Sequence, residues 1–185
     1  MTGARAPLRL LDRPLPGMAV LETLPHRDER GSFARCFCRE TLQALGIGAE
    51  VAQANLSFSE QRGTLRGLHW QEKPGAEVKI VTCLAGALHD IVLDLRPDSP
   101  TYGRHAPVEL SAANRRIVVV PEGCAHGFLT LADRTLVLYL VSAAYDPARE
   151  RGVRWDDPAF ALPWPFPPRV ISPRDAALPD FAPAA

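Results

Sequence analysis

The chain has 185 residues, 46% of them hydrophobic, with 21 basic side chains against 21 acidic ones. That length suits one domain with a sizeable core. The balanced charge excludes a protein-wide field drawing it to nucleic acid or a membrane surface, and leaves only a local basic pocket open.

In chain order, MTGARAPLRLLDRPLPGMAV interrupts its apolar content with Arg9, Asp12, Arg13 and Pro14, so it lacks a continuous signal-peptide core. No run approaches the ~20 apolar residues of a membrane span. A soluble, cytoplasmic protein is expected. CRETLQALGI (38–47) is the one expected helix, with Leu42, Leu45 and Ile47 on it and Gly48 closing it. In KIVTCLAGALHDIVLDL (79–95), β-branched residues predict two strands with a turn or bulge at Gly86. RRIVVVPEG (115–123) and TLVLYLVSAAY (135–145) predict two more, with turn-rich RPDSPTYG and LSAANR between them. Short strands with so little helix predict an all-β antiparallel sandwich or barrel.

From Pro158 the composition changes, with eight of the eighteen prolines in this tail. Proline cannot join the middle of a sheet. Phe160, Trp164, Phe166, Val170 and Ile171 are nevertheless too apolar for a disordered linker. The expectation is one domain over 1–185, with a core barrel at about 27–157 and an extended tail, 158–185, wrapping over it. Cys36, Cys38, Cys83 and Cys124 include no second C-x-C pair at zinc-site spacing, and all four are expected to be reduced packing residues.

Two histidine spacings carry chemistry. RGTLRGLHWQ (62–71) sets Gly63 six residues before His69, and Gln71 stands where a cupin-like metal site would have its second histidine. PEGCAHGFL (121–129) sets Pro121, Gly123 and His126 at the second such spacing, with Thr130 where asparagine is common. Two imidazoles with Glu77 are a thin ligand set, and no bound metal is expected. Acid–base work is the alternative, since imidazole exchanges protons near neutrality with an unperturbed pKa of ~6.5. Abstracting a proton beside a carbonyl also needs a cation near the enolate oxygen. Lys79, ten residues after His69, and Arg66, three before it, are the cations at hand. Tyr139, inside LVLYLV, reads on its own as a core tyrosine with a tied hydroxyl. Asp156 and Asp157 in RWDDP point to opposite sides of an extended chain and read as turn and capping residues. His26, His89 and His105 have no partner pattern.

RGTLRGLHWQ, VELSAANRR, VPEGCAHGFL, YDPARERGVRWDDP and SPRDAALP, in that order from about Arg27 to Pro179, resemble the dTDP-4-dehydrorhamnose 3,5-epimerase family of metal-free cupins. The resemblance implies a cupin-type jelly-roll barrel, homodimeric and free of cofactors, with a few short helices. It would bind a nucleotide-diphosphate-linked 4-keto-6-deoxyhexose. It also implies His69 as general base, Asp175 as the aspartate polarising it, Tyr139 as proton donor on the opposite face, and Lys79 beside the C4 oxygen. Arg30, Gln53, Asn55, Arg66, His126, Glu150 and Arg174 match substrate-binding positions, and Tyr145 matches a tyrosine stacking on the base. The chain departs from the family at Arg35, where many members carry an acid associated with the base, and at Ala54 and Leu56 of QANLS, where many read Q-D-N-H-S. A CDP- or GDP-linked substrate, inversion at one centre, a metal-dependent cupin and a non-catalytic sugar-nucleotide binder therefore stay open.

Overall fold

The computed structural model describes residues 6–48 and 50–182; the first residues of the stretch read for a signal peptide and the very end of the tail lie outside them. In chain order its elements are β1 (Leu8–Asp12), β2 (Ala19–Thr23), β3 (His26–Asp28), β4 (Gly31–Phe33) and α1 (Arg39–Ala44). The central strands follow as β5 (Gln53–Ser59), β6 (Thr64–Gln71), β7 (Lys79–Ala85), β8 (Ala87–Asp94), β9 (His105–Ser111), β10 (Arg116–Val120), β11 (Cys124–Thr130) and β12 (Thr135–Val141). The chain closes with β13 (Glu150–Gly152), β14 (Val170–Ile171) and α2 (Pro173–Ala176).

One sheet runs β1-β2-β10-β7-β12-β5, and the other runs β13-β6-β11-β8-β9 with β14 added alongside β6. Every pairing is antiparallel except β14 on β6. The two sheets face each other as a jelly roll. Alternation dictates the packing, because successive strand side chains point to opposite faces. Val81, Cys83, Val118, Val120 and Val137 of the first sheet meet Leu88, Val92, Val108, Leu110 and Phe128 of the second in the central core. The first sheet's outer face is covered in part by α1, through Leu42, against Ile80, Ile117 and Val119. The second sheet's outer face packs under the tail, where Phe160, Leu162, Trp164 and Phe181 meet Leu68, Ile91 and Leu93. At about 25 cal/mol per Å² of apolar surface, these three layers supply the main drive for folding.

Four sequence expectations need correction. The sheet starts at Leu8, ahead of the expected barrel start near 27, because β2 pairs onto β10 and β1 pairs onto β2. The helix spans only Arg39–Ala44 and leaves its helical geometry at Leu45, just before Gly46 at φ +73°. Strand β12 stops at Val141, well short of Tyr145. Finally, Cys36 is exposed and Cys38 half-exposed, so only Cys83 and Cys124 are buried packing residues.

Candidate active site

The two histidine motifs land on neighbouring strands, with His69 on β6 directly opposite His126 on β11. The β6–β11 register slips between His126 and Phe128, whose partners are His69 and Arg66, so Gly67 and Leu68 together oppose Gly127. Such a bulge re-aims side chains. On a regular strand, residues three apart point to opposite faces, yet Arg66 and His69 both line one cavity. Glycine is required there. Gly67 lies at φ +106°, and a Cβ on it would sit 2.7 Å from the Gly127 Cα.

The cavity is about 770 Å³ and lies between the sheets. From the first sheet, Tyr139 pairs with Asn55 on one side and Val81 on the other, and Val141 pairs with Gln53 and Lys79. Those registers turn Gln53, Asn55, Ser57, Lys79 and Tyr139 toward His69, Arg66 and His126 of the second sheet. By the same alternation, Ala54 and Leu56 fall on the outer face of β5. Ala54 does not line the cavity, whereas Leu56, although 66% exposed, does.

Asp175 arrives from the tail. Arg169 and Val170 donate backbone hydrogen bonds to the Gly63 carbonyl, and β14 then runs parallel to the first half of β6. Ser172 caps α2 by accepting from the Asp175 N–H at 3.0 Å, with Pro173 opening the helix. Serine at the cap and proline in the first turn fix such a short helix. Its Asp175 Oδ1 accepts a 2.7 Å hydrogen bond from His69 Nε2, and Oδ2 accepts from the Gly67 N–H. Burial raises the Asp175 pKa, but the His69 hydrogen bond and charge, the Gly67 N–H and the Ser172 hydroxyl outweigh it, and the net shift is downward. With Nε2–H committed to Asp175, Nδ1 is the His69 nitrogen left to act as a base.

Lys79 Nζ donates to the His69 carbonyl at 3.1 Å and pairs with Glu77 Oε1 at 3.2 Å. Gln71, in place of a second metal-ligand histidine, donates its amide to Glu77, Gly75 and Ala144 oxygens and accepts from the Asp146 N–H. That side chain is a structural clamp that orients Glu77 behind Lys79. Among the described residues, no three His, Cys, Asp or Glu side chains converge as a metal site needs. Burial is the main cause raising the Tyr139 pKa, helped by the nearby Asp90 charge and opposed by Ser57 and Arg66. Its proton is therefore held until a strong base, such as a carbanion, takes it.

The mouth is polar. Tyr145 donates its hydroxyl to Glu150 Oε2 at 2.6 Å and its backbone N–H to Gln53. Arg174 pairs with the same Glu150 oxygen. Burial pushes the Glu150 pKa up, but the Tyr145 and Arg174 hydrogen bonds and the His69 charge pull it below the ordinary value. Arg66 donates to the Phe58 carbonyl and to Ser59 Oγ at the rim.

All the expected site residues therefore line this cavity except Arg30. Arg30 sits on the turn between β3 and β4, 84% exposed and ion-paired to Asp28 at 2.6 Å, outside its own chain's cavity. Asp156 pairs with Arg154, and the buried Asp157 accepts the Ala159 and Phe181 N–H groups, so neither carboxylate faces the cavity. Sequence reasoning missed Asp90, whose side chain is fully buried with Oδ2 2.8 Å from His126 Nε2. The signal was available. In LHDIVLD, Asp90 shares the inward face with Leu88 and Val92, an unlikely place for an unpaired carboxylate.

A family profile described as dTDP-4-dehydrorhamnose 3,5-epimerase matches residues 12–183. The chain is 41% identical over 171 residues to a Mycobacterium tuberculosis protein named dTDP-4-dehydrorhamnose 3,5-epimerase, covering 90% of this chain and 84% of that one. It is 42% identical over 166 residues to a Streptomyces niveus dTDP-4-dehydrorhamnose 3-epimerase, covering 88% and 80%. The crystal structure of the Bacillus anthracis 3,5-epimerase with TDP and pyrophosphate bound superposes with a TM-score of 0.92 at 37% identity, covering 94% of this chain and 99% of that one. A profile spanning nearly every residue, joined to relatives above 40% identity on the same jelly roll, leaves one assignment: the chain belongs to the dTDP-4-dehydrorhamnose 3,5-epimerase family.

Proposed function

We propose that the chain inverts C3 and C5 of a dTDP-linked 4-keto-6-deoxyhexose through an enolate. The observation carrying this reading is that His69 and Tyr139 enter one cavity from opposite sheets, so a sugar ring between them presents one face to each. The C4 ketone acidifies the C–H bonds at C3 and C5. His69 Nδ1 takes one proton, and Asp175 stabilises the imidazolium that results. Lys79 stands beside the developing C4 oxyanion as the donor that charge requires. Tyr139 then supplies a proton from the other face, which inverts the centre. At the mouth, Arg66, Arg174, Gln53 and Asn55 offer donors for the diphosphate and nucleoside, with the buried His126 deeper in the cavity and Tyr145 an exposed ring for the base.

The Streptomyces niveus relative favours a second reading, inversion at C3 alone. One experiment separates the two and tests the carrier. The dTDP, CDP and GDP forms are turned over in deuterated water and the product is weighed. Two deuterons in the dTDP product are expected. One would make the chain a mono-epimerase, and none with any carrier would remove the enzyme reading.

We further propose a homodimer. The outer face of β5 and β7 leaves Leu56, Phe58 and Leu84 at 66%, 42% and 46% exposure, beyond the cover given by α1. Exposed apolar patches of this kind mark protein interfaces. A second copy seated there also gives Arg30, excluded from its own cavity, another cavity to serve. Sedimentation at micromolar concentration should return twice the chain mass of 20.2 kDa. Leu56→Glu with Phe58→Glu should halve it, and a monomeric wild type would refute the dimer. The exposed free thiol of Cys36 fits a reducing compartment, which supports a cytoplasmic location.

A further inference from the structure

Gln71 ends β6, two residues after His69, and is 3% exposed. Its amide nitrogen donates to the Gly75 carbonyl at 2.9 Å, to Glu77 Oε2 at 3.0 Å and to the Ala144 carbonyl at 3.3 Å. Its amide oxygen accepts from the Asp146 N–H at 2.6 Å. The partners fix which end is which, since three of them only accept and the fourth only donates. We propose that Gln71 is a positioning residue that sets two parts of the site at once, the Tyr145 ring for the base and the Lys79 ammonium for the enolate oxygen. The inference rests on the 3,5-epimerase reading and adds what holds nucleotide recognition in register with proton abstraction.

At the loop end, β12 stops at Val141, and no ladder carries the chain through Tyr145. The tyrosine is placed through its backbone instead. Gln71 takes the Ala144 carbonyl before it and the Asp146 N–H after it, while Gln53 takes the Tyr145 N–H at 3.0 Å. Tyr145 is 54% exposed, so packing does little to hold the ring. Without the Gln71 amide, both flanking peptide groups are released and the platform for the base loosens.

At the lysine end, an ammonium has three hydrogens to place. Lys79 Nζ directs one at Glu77 Oε1, 3.2 Å away, and one at the His69 carbonyl, 3.1 Å away. The third is left for the C4 oxygen, and the first two set its direction. The Lys79 and Glu77 side chains are 12% and 10% exposed. An ion pair this enclosed holds its geometry when its other lone pairs are also satisfied. Gln71 satisfies the second oxygen of Glu77. Without that bond the carboxylate turns, Lys79 follows it, and the third hydrogen no longer meets the oxyanion.

The test is Gln71→Met, which keeps the side chain's length and removes its amide. Calorimetry reads the affinity for dTDP, and mass spectrometry reads hydrogen exchange into the dTDP-linked substrate at saturation in deuterated water. Affinity should fall about fivefold, the worth of a hydrogen bond or so. Exchange should fall about tenfold or more, as expected for a displaced catalytic group. The same change is then made in Tyr145→Ala and in Glu77→Gln. In Tyr145→Ala it should cost exchange but no further affinity. In Glu77→Gln it should cost affinity but little further exchange, because each background has already lost one end of the clamp. A merely structural Gln71 would cost both quantities equally in every background. That result, or a Gln71→Met indistinguishable from wild type, overturns the proposal. If Gln71→Met does not fold, Gln71→Asn, which withdraws the amide by one methylene, takes its place with the same expectations. A wild type that binds dTDP and exchanges no hydrogen removes the enzyme reading and the Lys79 half with it, while the affinities still decide the Tyr145 half.

Discussion

Tyr139→Phe should abolish inversion while solvent exchange at the substrate's carbon acid survives. The variant keeps the ring that packs against Phe128 and His126 and removes only the hydroxyl. His69, Asp175 and Lys79 stay in place, so the proton still leaves and the enolate still forms. Without a donor on the opposite face, His69 can only return what it took, now mixed with solvent deuterium. A positioned general acid contributes about 10²–10⁴-fold, so inversion should fall by that factor while exchange falls far less. The two rates are read together, inversion by product configuration and exchange by mass. Undiminished inversion in this variant would mean that another group donates.

His69→Asn should have the opposite signature. Removing the base stops both exchange and inversion, each by about 10²–10⁴-fold, with substrate binding nearly intact. Asp175→Asn should act in the same direction more weakly. It keeps the shape of α2 and the polar contact to Nε2, and it removes the charge that stabilises the imidazolium. The contrast is the point of the pair of experiments. Loss at His69 couples exchange to inversion, and loss at Tyr139 uncouples them. Exchange persisting at full rate in His69→Asn would move the base elsewhere.

The fold was legible where the sequence alternates cleanly. Gly86 divides β7 from β8 as its position suggested, at φ +76° with the Thr135 hydroxyl 2.5 Å from where its Cβ would sit. The strands β1 and β2 were missed because LRLLD and AVLET are short and charged, and Pro14 and Pro16 lie between them. They become strands because β2 pairs onto β10 and β1 onto β2, a tertiary pairing that local propensity does not contain. The two-residue β14 is below what any pattern can report.

The site divides in the same way. His69 and His126 were marked by glycine and proline spacing, and the marker glycines Gly63 and Gly123 sit at turns with φ +85° and +76°, which favour glycine. Asp175 came from family resemblance alone, although S-P-R-D is itself a capping pattern that announces a helix start. No spacing links position 175 to position 69, since the contact is made by a tail folding back along β6. Arg30 shows the converse limit. A motif names the residue type, but not which cavity it serves, and the β3–β4 turn holds Arg30 away from its own.

The opposed placement of His69 and Tyr139 is tested most directly by stereochemistry. Wild-type protein in deuterated water, stopped early, should give C3 deuterium only on the face opposite the departed proton, read by NMR coupling across the ring. Deuterium found in uninverted sugar at the same rate, with the departed proton replaced from its own side, would mean that one group does both tasks and would contradict the account.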